Sequence, residues 1–212
     1  MSLSAVLPHR TAAELTACLD ELRAAPADVG TVHLVVRRPD RLARELLAEG
    51  VLDTTDGLVG DNWYSRATSH AIAAGRHLDA QVTVMSARMV LLLTDDPEAQ
   101  AAAGDQLYVD LDISVANLPA GSRLEFGEPG AGGPVVEVSA KPHNGCAKFT
   151  ARFGEEAMLF VNSEVGKGLR LRGFNGRIVS SGVVRPGDPV RVVRRGGLDD
   201  QAETGTHEAL PL

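Results

Sequence analysis

Apolar positions recur at Leu15, Cys18, Leu19 and Leu22 across "TAAELTACLDELRAAP", the spacing of one helix face. Thr11 is a ready N-cap and Glu14 its capping-box partner, so the pattern predicts a helix over 11–26 with Cys18 on its packed side. The β-branched run "TVHLVVR" (31–37), bounded by Gly30 and Pro39, predicts a strand. "PDRLARELLAEG" follows, with Pro39 near its start and Gly50 as its stop, and reads as a short helix.

From Gly57 onward the pattern changes to strands and tight turns. "QVTVMSARMVLLLT" predicts one long or two short strands, "QLYVDLDIS" alternates apolar and polar residues, and "GSRLEFGE" and "GPVVEVSA" repeat that alternation after glycine-rich breaks. "RFGEEAMLFVNSEVG" is helical in pattern, with Phe153, Ala157, Phe160 and Val161 on one side. "LRLRGFNGRIVSSGVV" and "DPVRVVRR" return to strands around the turn "RPGD". Many short strands and few helices predict a mainly β fold, a closed or nearly closed β-barrel with peripheral α-helices. The expected organisation is a helical extension over 1–30 packed on a barrel domain over 31–195, with an aperiodic tail over 196–212.

Composition narrows this picture. Aromatic residues make up only 4% of the chain against 44% hydrophobic residues overall, so the core must be built from Val, Leu, Ala and Ile. The opening residues carry no basic stretch followed by an apolar run, and no segment is long and apolar enough to span a bilayer, so a cytoplasmic location without membrane contact is expected. A net charge of −7 argues against general nucleic-acid affinity. The charge is uneven, however: between Lys141 and Arg195 stand eleven Lys and Arg against four acids. Such a segment suits either a small anionic ligand or a solvated strand face.

The candidate chemistry centres on "KPHNGCAKFTARFG". Cys18 and Cys146 are far apart and neither lies in a CxxC pair, which excludes a disulfide framework and a structural zinc site. Cys18 reads as a core residue. Cys146 sits behind Gly145, before a predicted helix, with His143, Lys148 and Arg152 close by; helix N-termini and cations both favour the reactive thiolate. His143 is placed to orient or deprotonate the thiol, or to cap its loop. "DGLVGDNWYSR" gathers Gly60, Asp61, Asn62, Trp63 and Arg66 in a stretch too irregular for core structure. "VNSEVGKGLRLRGFNGR" supplies Asn162, Arg170, Arg172, Asn175 and Arg177, donors suited to a phosphate or a pterin edge. On a strand Arg170 and Arg172 share one face, and either line a cavity or face solvent together. No GxSxG elbow, Walker loop or dinucleotide fingerprint is present, and "GEPGAGGP" reads as a hairpin loop.

The ordered segments "GLVGDNW", "GDQLYVDLDISVANLPAGSRLEFG", "VVEVSAKPHNGCAKFTARFG", "VNSEVGKGLRLRGFNGRIV" and "GVVRPGD" together resemble the MOSC domain over approximately 31–195. That family comprises the C-terminal module of molybdenum cofactor sulfurases and stand-alone bacterial proteins. The resemblance implies a β-barrel whose signature cysteine, here Cys146, carries sulfur or ligates molybdenum, with Gly60 and Asp61 in the glycine-aspartate loop. It implies cofactor contacts from Asn62, Arg66, Lys148, Asn162, Arg170, Arg172, Asn175 and Arg177. Gly145 stands where the family usually has proline, and Asn62 where it often has arginine. The aminotransferase-like half of the sulfurases is absent, so bound pyridoxal phosphate is not expected and sulfur would come from a separate donor. Three functions follow from these readings: a protein that binds molybdenum cofactor or carries sulfur, a molybdenum-dependent reductase of N-hydroxylated compounds served by a redox partner, and a non-catalytic binding module.

Overall fold

The computed structural model describes residues 9–197. The predicted first helix is two short ones, α1 (Ala12–Ala17) and α2 (Leu19–Arg23), broken at Cys18. The capping box forms as expected, with Thr11 Oγ1 accepting from the Glu14 N–H and the Glu14 carboxylate accepting from Thr11. Strand β1 (Val29–Arg37) follows. The helix expected over 39–50 does not form: the chain turns back into β2 (Glu45–Leu46), antiparallel to β1, and then β3 (Gly50–Asp53) and β4 (Gly57–Leu58). Arg37 Nε donates to Glu45 at 2.7 Å, and of the three leucines that suggested a helix Leu42 and Leu46 face solvent while only Leu47 packs against the barrel core.

A small helix α3 (Ser69–Ala73) precedes β5 (Val82–Ser86), after which the apolar run becomes a helix, α4 (Ala87–Leu93), rather than a second strand. Ser86 caps it by accepting from the Met89 N–H. Helix α5 (Pro97–Ala101), with proline in its first turn, leads into β6 (Leu107–Asp110), β7 (Arg123–Phe126) and β8 (Val135–Val138). Three helices pack next to each other in sequence, α6 (Ala147–Phe153), α7 (Glu155–Asn162) and α8 (Glu164–Gly168). Gly154, at φ 89°, makes the corner between the first two. Strands β9 (Phe174–Ser180), β10 (Gly182–Val184) and β11 (Pro189–Arg194) complete the described chain. Residues 169–173, expected to be strand, form a turn in which Arg170 adopts φ 48°. The pairwise facing of Arg170 and Arg172 on a strand is therefore lost. The predicted tail over 196–212 lies almost wholly outside the described residues.

Seven strands close a barrel in the order β1, β6, β5, β9, β8, β7, β11, with β11 pairing back onto β1. All neighbours are antiparallel except β5 and β6. Closure removes the open edges that an extended sheet would present. The two-residue period of the strands then sorts side chains into two cores. Val82 and Val84, Leu107 and Val109, Leu124 and Phe126, and Val136 and Val138 point inward and meet Phe174 and Ile178. Val36, Met85 and Tyr108 point outward and meet Leu15, Leu22, Met89, Phe149, Phe153, Ala157, Phe160 and Val161 of the helical layer. At about 1.5–3 kcal/mol for each fully buried large side chain, aliphatic burial suffices to hold a chain with so few aromatic residues.

Candidate active-site cavity

A cavity of about 640 Å³ lies on the outer side of the barrel wall, where the helical layer and the loops meet it. Its floor includes Thr83 of β5 and Asn175 of β9, register partners that alternate with the inward-pointing Val82, Val84 and Phe174. Residues 62–80 form the opposite wall, held by a stacked Trp63–His77 pair with parallel rings 5.8 Å apart. Cys146, at the start of α6, closes one side, and the backbone around Arg44 and Gly104 closes another.

Two buried arginine–carboxylate pairs brace this cavity. Asp61, its side chain fully buried, accepts from Arg38 Nε and Nη2 at 2.9 Å each, a two-pronged pair, while Arg38 Nη1 donates to the Gly104 carbonyl. Asp105, one residue further on, accepts from Arg172 Nη1 and lies 2.7 Å from His143 Nε2. Burial alone would raise the Asp105 pKa, but the Arg172 charge and His143 overcome it and hold the carboxyl at about 2. Arg172 also donates to the Ala103 carbonyl and lies 5.2 Å over the Phe149 ring. Burial, together with Arg172 and Arg38, pushes His143 below its ordinary value despite the Asp105 carboxylate. His143 is therefore neutral at physiological pH, with Nε2–H donating to Asp105 and the Nδ1 lone pair left as an acceptor.

Cys146 is solvent-exposed at the cavity wall. Partial burial raises its pKa, but the N–H groups of Phe149 and Lys148 in the first turn of α6 and the charges of Arg172 and Lys148 outweigh that and place it below the ordinary thiol value. The backbone before it is pinned by Asn162, whose Oδ1 accepts from the Gly145 N–H at 2.9 Å and whose Nδ2 donates to the Gly145 carbonyl at 3.1 Å. Glycine at 145 fits that arrangement: its N–H is used, and a Cβ would sit 3.0 Å from Val161 Cγ2.

Of the residues expected from sequence, the cavity brings together Asn62, Arg66, His143, Cys146, Lys148, Arg172 and Asn175. Asn175 is partly engaged, since Nδ2 donates to the Lys141 and Pro142 carbonyls. The others stand elsewhere. Asp61 is held under Arg38; Gly60, at φ 81°, shapes the loop beside it; Asn162 holds Gly145. Arg170 donates to the Leu118 carbonyl beside a neighbouring cavity, and Arg177 is exposed on β9 opposite Glu137. Sequence reasoning missed Arg38 and Arg44 as cavity residues and Asp105 as the partner in charge of Arg172. The clustered arginines of "VVRRPDRLAR" were the available signal, hidden by reading that stretch as a helix.

The chemistry of the lining is cationic. Arg38, Arg41, Arg44, Arg66, Lys141, Lys148, Arg152 and Arg172 face a single carboxylate, Asp40. Among the described residues, four buried side-chain polar atoms lack a hydrogen-bond partner: Arg44 Nε, Asn62 Oδ1, His77 Nδ1 and Arg172 Nε. All four belong to residues lining this cavity. Unmet buried donors and acceptors gathered at one place mark a site shaped for a polar ligand.

The fold has relatives of known structure. A hypothetical protein with a crystal structure superposes with a TM-score of 0.54 at 21% identity, covering 90% of this chain and 81% of its own. The YuaD protein of Bacillus subtilis superposes with a TM-score of 0.51 at 14% identity, covering 77% of this chain and 95% of its own. At these identities the likeness is one of fold alone. No family model matches the sequence, and no curated protein does. No helix among the described residues is long and apolar enough to cross a membrane.

Proposed function

We propose that the cavity binds a phosphate-bearing molybdopterin-type cofactor, with Cys146 as its sulfur-carrying or molybdenum-ligating residue. The observation that carries this reading is the convergence of an exposed thiol of lowered pKa with a cationic cavity whose lining residues carry every buried, unpartnered side-chain polar atom among the described residues. The donor set fits. Eight cationic side chains against one carboxylate suit a phosphate-bearing ligand, and Cys146 offers a single sulfur donor at the wall.

When bound, such a cofactor supplies a metal centre that accepts a thiolate or a sulfur atom. The chain's own residues do the rest. The first turn of α6, Arg172 and Lys148 shift Cys146 towards its thiolate, the form that binds metal or sulfur. His143, fixed by Asp105 with its Nδ1 lone pair available, is the group that takes up a proton at the cavity wall. Asn62 and His77, each with an unpartnered polar atom, stand in the opposite wall and are the candidates to meet a heterocycle edge once the wall adjusts around it. Sulfur or electrons come from a separate partner.

The test is molybdenum analysis of the full-length protein purified from a host that makes the cofactor. Metal is expected in wild type and lost in Cys146→Ala. Equal, near-zero metal in both proteins overturns the proposal.

A further inference from the structure

Arg38 and Arg172 are matched by Asp61 and Asp105, but Arg44 and Arg152 form no ion pair among the described residues. Both are half-buried, and they converge over one backbone position. A Cβ built on Gly104 would lie 3.3 Å from Arg44 Nη2 and 3.7 Å from Arg152 Nη1. Gly104 has φ 95°, a conformation that admits glycine and little else, so the turn keeps this space free of a side chain. Neighbouring carbonyls hold the two guanidinium groups: Arg44 Nη1 donates to Ala43 at 2.6 Å and Arg152 Nη1 to Ala102. Arg44 Nε is buried without any partner. Burial, then the charges of Arg152, Arg38 and Arg66, push the Arg44 pKa down, the mark of cations held together without their counterion.

We propose that Arg44 and Arg152, converging over Gly104, form a subsite of the cavity for a tetrahedral oxyanion of the phosphate class. The planar guanidinium fork matches phosphate oxygens two at a time, and a dianion offsets both like charges at once. A monocarboxylate offers one charge and two oxygens to two forks. The subsite deepens the function proposed above by naming the residues that take the ligand's phosphate, yet it stands on the arginines and not on the thiol.

The test uses the full-length protein in phosphate-free buffer, titrated with inorganic phosphate by calorimetry and by thermal melting. Saturable binding and a raised Tm are expected, with binding weakened roughly tenfold or more in Arg44→Gln and in Arg152→Gln. Without phosphate, Arg44→Gln is expected to melt at the wild-type temperature or above it, since the substitution relieves like-charge repulsion. A variant that binds phosphate as wild type does, or an Arg44→Gln protein that melts lower without phosphate, overturns the subsite. Phosphorus that stays with the protein one-for-one with molybdenum after dialysis identifies a cofactor phosphomonoester as the occupant; exchangeable phosphorus without molybdenum identifies free phosphate. Phosphate binding by a protein that never retains molybdenum sinks the cofactor reading and leaves the subsite standing. Molybdenum retained with phosphate binding unaffected by both substitutions does the reverse.

Discussion

Asp105→Asn tests the electrostatics on which the cavity rests. Asp105 is fully buried and neutralises Arg172, itself only 6% exposed. The asparagine preserves shape but leaves Arg172 without a charged partner, held by the Ala103 carbonyl, the Met85 sulfur and the Phe149 ring. An uncompensated buried charge costs about 3–5 kcal/mol. Titration gives an independent bound. The carboxyl moves from 3.8 when unfolded to about 2 when folded, which is worth about 2 kcal/mol, with no discount for solvent because the group is buried. Because the folded value is the lower one, this contribution is complete above pH ~5 and is lost as pH falls through 3.8 towards about 2. Urea unfolding of wild type and variant across that range should show a gap of several kcal/mol near neutrality that narrows in acid. Combining Asp105→Asn with Arg172→Met should cost less than the two single losses together, by roughly 0.5–3 kcal/mol. A neutral-pH gap below about 0.5 kcal/mol, or a gap that widens in acid, would refute the account of a charge-compensated pair.

Two further outcomes follow from the thiol and its setting. The alkylation rate of Cys146 with iodoacetamide, followed by peptide mass spectrometry, should reach half its maximum below pH 9.0, and Lys148→Gln should move that midpoint upward; a wild-type midpoint at or above 9.0 would remove the activated thiolate from the argument. Gly145→Pro should destabilise the protein by about 1–3 kcal/mol, read from the urea midpoint, because it deletes the N–H that Asn162 Oδ1 accepts.

The barrel was legible because alternating strands such as "GSRLEFGE" and "GPVVEVSA" carry their inward and outward faces in their own residues. Where that signal was weak, tertiary context decided. β5 is buried on both faces, so the short alternation of "QVTV" marks no solvent face and runs on through Met85 into the apolar helix after it; only Ser86, an N-cap, marks the border. At 39–50 the periodicity was helical, yet β1 offered a free edge and Arg37 an acid partner in Glu45, and strand pairing won. Cys146 and His143 could be found from local sequence. Asp105 and Arg44 could not, because their meaning lies in partners 38 to 108 residues away. A carboxylate in a turn acquires a role only when the fold brings a cation to it.

The shared wall of β5 and β9 divides labour within the molecule. Thr83 and Asn175 look into the cavity while Val82, Val84 and Phe174, on the same two strands, seal the barrel behind them. The floor is thus one backbone thick and backed by close-packed apolar side chains, so it cannot yield to fit a ligand. The facing wall, residues 62–80, is made of short helical segments and the turns between them, with Trp63 stacked on His77. Ligand choice is therefore written in the roof and foundation strength in the floor, and the chain can be re-tuned to a different guest by changing the first without disturbing the second.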